Sequence, residues 1–135
     1  MSNRKFNPIK DKCSEIIEYL MATPEMPSDE DLRFNIQLSI EEAVENVVRY
    51  AYEGGIGWLE VQTTLNENNL VLTVELRDAG TPFNPLEKPD PDITLSIEDR
   101  PVGGLGIFLC KQLMNEVSYR YEDGCNILTM KKKLN

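Results

Sequence analysis

Histidine is missing altogether from the 135 residues. Its absence removes imidazole-activated nucleophiles, imidazole metal ligands and any phosphohistidine on this chain. Long apolar runs are missing too: none approaches the roughly 18 residues that a membrane-spanning helix needs, so no membrane partner is expected. The N-terminal MSNRKFNPIKDK has basic residues but no apolar segment among them, and reads as a chain without a signal peptide. Cysteine is scarce. Cys13, Cys110 and Cys125 are odd in number and far apart, without metal-ligand spacing, and are expected as reduced thiols in the cytoplasm. Positive charge is in deficit. A net charge of −9 argues against nucleic acid as a direct partner, because phosphate backbones select basic faces. Lys131-Lys132-Lys133 is too short a run to reverse that and reads as a solvated strand end. Repeats, low-complexity tracts and dividing linkers are also absent, so residues 1–135 are expected to form one domain.

The periodicities that are present alternate between two kinds. Residues 10–22 carry Cys13, Ile16, Ile17, Leu20 and Met21 at helical spacing, and Pro24 and Pro27 end that helix. The Ile16/Ile17/Leu20 face reads as core rather than interface. A longer helix is predicted from near Ser28, with Ser28 and Asp31 as a weak capping box, to Tyr52. Its apolar face is Ile36, Ile40, Ala43, Val44, Val47 and Ala51. Strands are predicted at Trp58–Leu65 and Leu70–Arg77, then a helix over 104–116, then a hairpin of Val117–Glu122 and Asn126–Leu134 turning at Asp123-Gly124. The class that follows is α/β in the α+β sense: a two-layer sandwich, with a mixed, mostly antiparallel sheet covered on one face by helices.

Three stretches carry chemistry. In "RPVGGLGIFLCKQL", Gly103, Gly104 and Gly106 crowd the start of a helix, although each glycine weakens a helix by roughly 1 kcal/mol relative to alanine. Such a cluster is either a flexible turn or a place where backbone N–H groups and the helix dipole meet a phosphate. No Walker A string exists here. A dinucleotide loop fails as well, because Arg100-Pro101 replaces the preceding strand and Asn126 the downstream acid. In "LSIEEAVENVVRYAY", Glu42 and Asn46 form a polar stripe four residues apart, with Ser39 and Tyr50 close by. Alone, the pair reads as a solvated flank. In "LRDAGTPFNP", a buried strand ends at Asp78-Ala79-Gly80, which alone reads as a strand-to-loop turn.

In this order the three resemble the ATP-binding domain of the GHKL superfamily, the histidine kinase-like or Bergerat fold. Glu42-x-x-x-Asn46 matches its N box, Asp78-x-Gly80 its G1 box, and Gly103-Gly104-Leu105-Gly106 with Leu109 its G2 box. The chain's size and "EEAVENVVRYAY" are most similar to the anti-sigma factor serine kinases. These bacterial regulators sequester a sigma factor and phosphorylate a serine on an anti-anti-sigma (STAS-type) partner. The resemblance implies ATP and Mg²⁺ as cofactors, Glu42 as catalytic general base, and Asn46 as the metal ligand. It implies Asp78 as acceptor for the adenine amino group, with Gly80 leaving room for the purine. It further implies Gly103, Gly104, Leu105 and Gly106 at the phosphates, a lid at about 84–103, and Arg100 as a candidate contact to the γ-phosphate. Homodimers are common in this family. Tyr50 stands where many members carry histidine, and Asn126 where a threonine near the adenine is usual. A non-catalytic, nucleotide-gated binding module of the same fold is the alternative. A histidine-kinase catalytic domain is disfavoured, since a histidine-free chain offers no acceptor in cis.

Overall fold

The computed structural model describes residues 1–52, 56–87 and 104–135. Along the chain these form β1 (Ser2–Phe6), α1 (Cys13–Met21), α2 (Glu30–Tyr50), β2 (Leu59–Asn66) and β3 (Val71–Asp78). A short 3₁₀ turn (Pro85–Glu87), α3 (Gly104–Leu113), β4 (Glu116–Glu122) and β5 (Cys125–Lys133) follow. The strands make one sheet in the order β1-β2-β3-β5-β4. The mostly antiparallel sheet expected from the hairpins is antiparallel at every described pairing.

Period-two patterning decides which face is buried. Leu72, Val74, Leu76 and Asp78 alternate into the core along β3, and register sets them across from Leu65, Thr63, Val61 and Leu59 of β2. On the other side they meet Lys132, Met130, Leu128 and Asn126 of β5. A carboxylate therefore ends a row of aliphatic side chains on the covered face. Leu70, expected to begin that row, lies outside it at positive φ and 41% exposed.

All six apolar residues expected on the long helix are buried, and they join Ile16 and Leu20 of α1 and Ile107 and Cys110 of α3 in one core. Each buried Ile, Leu or Val among them contributes about 1.5–3 kcal/mol when removed from water. The helix starts one turn-position later than the capping box implied. Asp29, not Ser28, is the N-cap, and its Oδ2 accepts from the Leu32 N–H at 2.9 Å. Glu30 and Asp31 in the first turn and Arg49 in the last complement the helix dipole. Asp123 and Gly124 both take positive φ, 53° and 75°, the two-residue turn whose twist matches a hairpin.

Strand β1 was not expected from the sequence. It is an edge strand in which Phe6 alone is buried. Arg4 lies 4.4 Å from the Phe6 ring centroid and Lys5 4.3 Å from that of Trp58, so basic side chains cover the edge. The three cysteines are free. No described helix is long and apolar enough to cross a membrane.

Candidate functional site

A cleft of about 350 Å³, counting its open mouth, lies between the C-terminal half of α2 and the end of the sheet. Val47, Ala51, Leu76 and Leu128 give it apolar walls, and Asn46, Asp78, Thr81 and Asn126 supply its polar groups. Asp78 is the unusual member, a carboxylate only 4% exposed. Its Oδ1 accepts from the Gly80 N–H and from Asn126 Nδ2, each at 2.9 Å. No described residue donates to Oδ2. Burial pushes the Asp78 carboxyl above its ordinary range, and the two donors on Oδ1 work against that rise. A buried acceptor without a cation, in a cleft of aliphatic walls, suits a flat ligand that brings its own N–H donor.

The strand exit is stitched to the helix end. Thr81 N–H donates to the Ala51 carbonyl at 2.8 Å, and a Cβ on Gly80 would come within 2.0 Å of that oxygen. Gly80 thus permits backbone-to-backbone approach at Ala51, where the sequence pointed to room for a base. The Tyr52 hydroxyl adds to the join, donating to the Trp58 carbonyl and accepting from Ala79 N–H, both at 2.8 Å. Tyr50 stacks on Phe83 with ring centroids 4.8 Å apart.

A second cavity lies between α2 and α3 and is lined by Glu42, Glu45, Asn46, Arg49, Gly106 and Ile107. Asn46 belongs to both cavities. It separates a buried acceptor, Asp78, from a half-buried acid, Glu42. Burial raises the Glu42 carboxyl above its usual range, the like charges of Glu45 and Glu41 raise it further, and Arg49 opposes them. The first turn of α3 sits on this acid, since a Cβ on Gly106 would lie 2.6 Å from Glu42 Oε2. Behind it, Cys110 Sγ–H donates to the Ser39 carbonyl at 3.2 Å, and burial pushes that thiol up to about 12, so it stays neutral. Ser39 itself is fully buried and bonds back to the Asn35 carbonyl; it belongs to the core rather than to the polar stripe.

The structure therefore brings Glu42, Asn46 and Gly106 together at one cavity and Asn46 and Asp78 at the other, while Gly80 stands behind Asp78 as a backbone donor. Gly104 heads α3, whose first N–H groups have no partner within the helix. The Leu105 side chain, Arg100, Gly103 and most of the expected lid lie outside the described residues. Among the described residues no cluster of three or more acidic, cysteine or histidine side chains could hold a metal. Asn46 alone suits an ion that takes its remaining ligands from phosphate and water, as Mg²⁺ does. Arg49, three residues after Asn46, was not singled out from the sequence although its helical spacing placed it on the same flank. Thr81, Phe83 and Tyr119 were missed because only tertiary register brings them to the cleft.

Comparison with known proteins identifies the family and the fold. The family model described as the histidine kinase-like ATPase domain matches residues 11–132. The serine/threonine-protein kinase BtrW of Bordetella bronchiseptica is 30% identical over 99 residues, which are 73% of this chain and 69% of that protein. The serine-protein kinase RsbW of Bacillus cereus is 31% identical over 99 residues, 72% of this chain and 62% of RsbW; the chain thus spans less than two thirds of that relative. Among solved structures, the histidine kinase domain of the Erythrobacter litoralis EL346 blue-light-activated kinase superposes with a TM-score of 0.61 at 15% identity, covering 94% of this chain and 61% of that one. The Acinetobacter baumannii histidine kinase AdeS gives 0.54 at 15% identity, covering 100% and 68%. At such identities the likeness is one of fold.

Proposed function

The chain belongs to the histidine kinase-like ATPase domain family, and from that premise we propose that it is an ATP-dependent serine-protein kinase of the anti-sigma factor type. In this reading it binds ATP with Mg²⁺, sequesters a sigma factor, and phosphorylates a serine on an anti-anti-sigma (STAS-type) partner. The fold implies ATP binding, and relatives named as serine-protein kinases support the transfer chemistry. The observation that carries the proposal is the shared position of Asn46 between the Asp78 cleft and the Glu42 cavity.

Each residue has a definite task. Asp78 accepts a hydrogen bond from the base amino group. Asn46 would hold the metal through its neutral side-chain carbonyl oxygen, and the N–H groups of the first α3 turn would hold the phosphates. Glu42 takes the proton from the attacking serine hydroxyl, its raised proton affinity making it a stronger base than an ordinary surface glutamate. Bound ATP would supply the phosphoryl group and Mg²⁺ the positive charge that offsets its oxygens. Phosphoryl transfer asks mainly for positioning and charge stabilisation, so one acid and one metal ligand on a rigid helix suffice. The test is incubation with γ-labelled ATP and an anti-anti-sigma domain encoded beside this chain. Label on a serine supports the kinase; nucleotide binding without any label supports the non-catalytic module in its place.

A further inference from the structure

Asn126 stands on β5 opposite Asp78 of β3 and is 7% exposed. Its Nδ2 donates to Asp78 Oδ1 and to the Thr81 carbonyl, both at 2.9 Å, with a longer contact of 3.5 Å to the Gly80 carbonyl. Its Oδ1 accepts from Phe83 N–H at 3.1 Å and from the Tyr119 hydroxyl. A side-chain amide has two N–H donors and two lone pairs on its oxygen, and here all four are taken within the protein. Although Asn126 lines the cleft, it has nothing left to offer a ligand directly.

We propose that Asn126 is a positioning residue that sets base selectivity. It holds Asp78 as an acceptor-only carboxylate for an amino group on the base, and ties the Thr81–Phe83 segment to that same carboxylate. The inference rests on the nucleotide reading above and adds to it the reason for discrimination. An ionised Asp78 accepts from a 6-amino purine and repels a 6-oxo purine, which presents another acceptor at that edge. A protonated Asp78 can donate to the 6-oxo group and discriminates less. Burial favours the protonated form, while the N–H groups of Asn126 and Gly80 favour the ionised one. Tyr52, just after α2, and Tyr119, on β4, are the titratable side chains that feel the Asp78 charge. Burial pushes both phenols up, so they stay neutral while Asp78 titrates. No charged side chain among the described residues offsets Asp78, which leaves Asn126 as the side chain that keeps it ionised.

The test uses Asn126→Val and Asn126→Thr, which share a shape and differ in one hydroxyl donor, with Asn126→Asp as a variant that keeps the acceptors. Carboxyl-carbon NMR of the nucleotide-free protein follows the Asp78 titration directly. Its midpoint is expected to rise by about one pH unit in Asn126→Val, the effect of losing one hydrogen bond to a charged group, and by less in Asn126→Thr. Should Asn126→Val fail to fold, Asn126→Asp is expected to raise the midpoint at least as far. Preference for ATP over inosine 5′-triphosphate, measured by calorimetry at pH 7 and in mild acid, is expected to fall about tenfold when the donor is lost, with partial rescue by Asn126→Thr. An unmoved Asp78 midpoint in folded variants, or an unchanged preference, overturns the inference while wild-type ATP binding leaves the nucleotide reading intact. A wild type that binds neither triphosphate overturns both.

Discussion

Gly106 and Glu42 are packed so closely that α3 cannot carry a side chain at that position without moving the acid: a Cβ there would sit 2.6 Å from Glu42 Oε2. The glycine is thus explained by contact with the proposed base as well as by the approach to phosphate that the sequence led us to expect. The obstacle is the far end of a flexible side chain, so Gly106→Ala is expected to fold. Alanine's helix preference, worth about 1 kcal/mol over glycine, should offset the crowding and leave the melting temperature near or above wild type. Nucleotide binding should survive, and transfer to serine should slow as Glu42 is displaced. A thermal melt run beside the transfer assay checks both halves.

Gly80→Ala should behave in the opposite way. Its Cβ would meet a backbone oxygen, that of Ala51, at 2.0 Å, and neither the helix end nor the strand exit can yield cheaply. Overpacking of this kind costs about 1–3 kcal/mol. Denaturant unfolding is expected to show that loss, together with weaker nucleotide binding because Asp78 lies two residues away.

Asp78→Asn separates ligand binding from stability. Burial raises the Asp78 carboxyl in the fold, so between the ordinary carboxylate range and that raised value the folded state binds more protons than the unfolded one. Stability then falls as pH rises through the window, and the ionised group costs stability at neutral pH. The Asp78→Asn protein is expected to melt no lower than wild type at pH 7, to show a flatter stability profile across the window, and to bind ATP at least tenfold more weakly. Melts over a pH series and calorimetry at pH 7 check these outcomes.

The pH dependence of transfer should reveal the surroundings of Glu42. Burial first, and then Glu45 and Glu41, raise its carboxyl, so the acid limb of the rate profile is expected above the usual glutamate range. Glu45→Gln removes a like charge and should move that limb to lower pH. A limb that stays in place or moves upward would show that another group controls the rate.

The parts of this arrangement that were legible in the sequence are those set by local spacing. One helical period placed Glu42 and Asn46 on one flank, one strand period carried Leu72, Val74 and Leu76 inward, and Asp123-Gly124 fixed the final hairpin. The cap at Asp29 differed by one residue from the expected Ser28, because two adjacent residues both suit an N-cap and only the Leu32 N–H decides between them. Strand β1 was illegible for a different reason. A short edge strand that buries only Phe6 has no alternation to detect. The Asp78–Asn126 pair was also out of reach, since the β3–β5 register joins positions 48 residues apart across a helix. Parity did carry a clue: Asp78 continues the buried row of β3, and a carboxylate in such a row calls for a donor on the next strand.

Phosphoryl transfer by Glu42→Gln, set beside its nucleotide binding, tests the central claim most directly. Glu42 and Asp78 line different cavities, so removing the Glu42 charge should leave calorimetric ATP affinity close to wild type. The loss of a general base should lower the rate of serine labelling from γ-labelled ATP by about 10²–10⁴-fold. Wild type that labels the partner's serine, with a Glu42→Gln variant that binds ATP but labels at that reduced rate, is the result this account expects. Wild type that leaves the serine unlabelled in the presence of its partner, or Glu42→Gln that labels it as fast as wild type does, would contradict it.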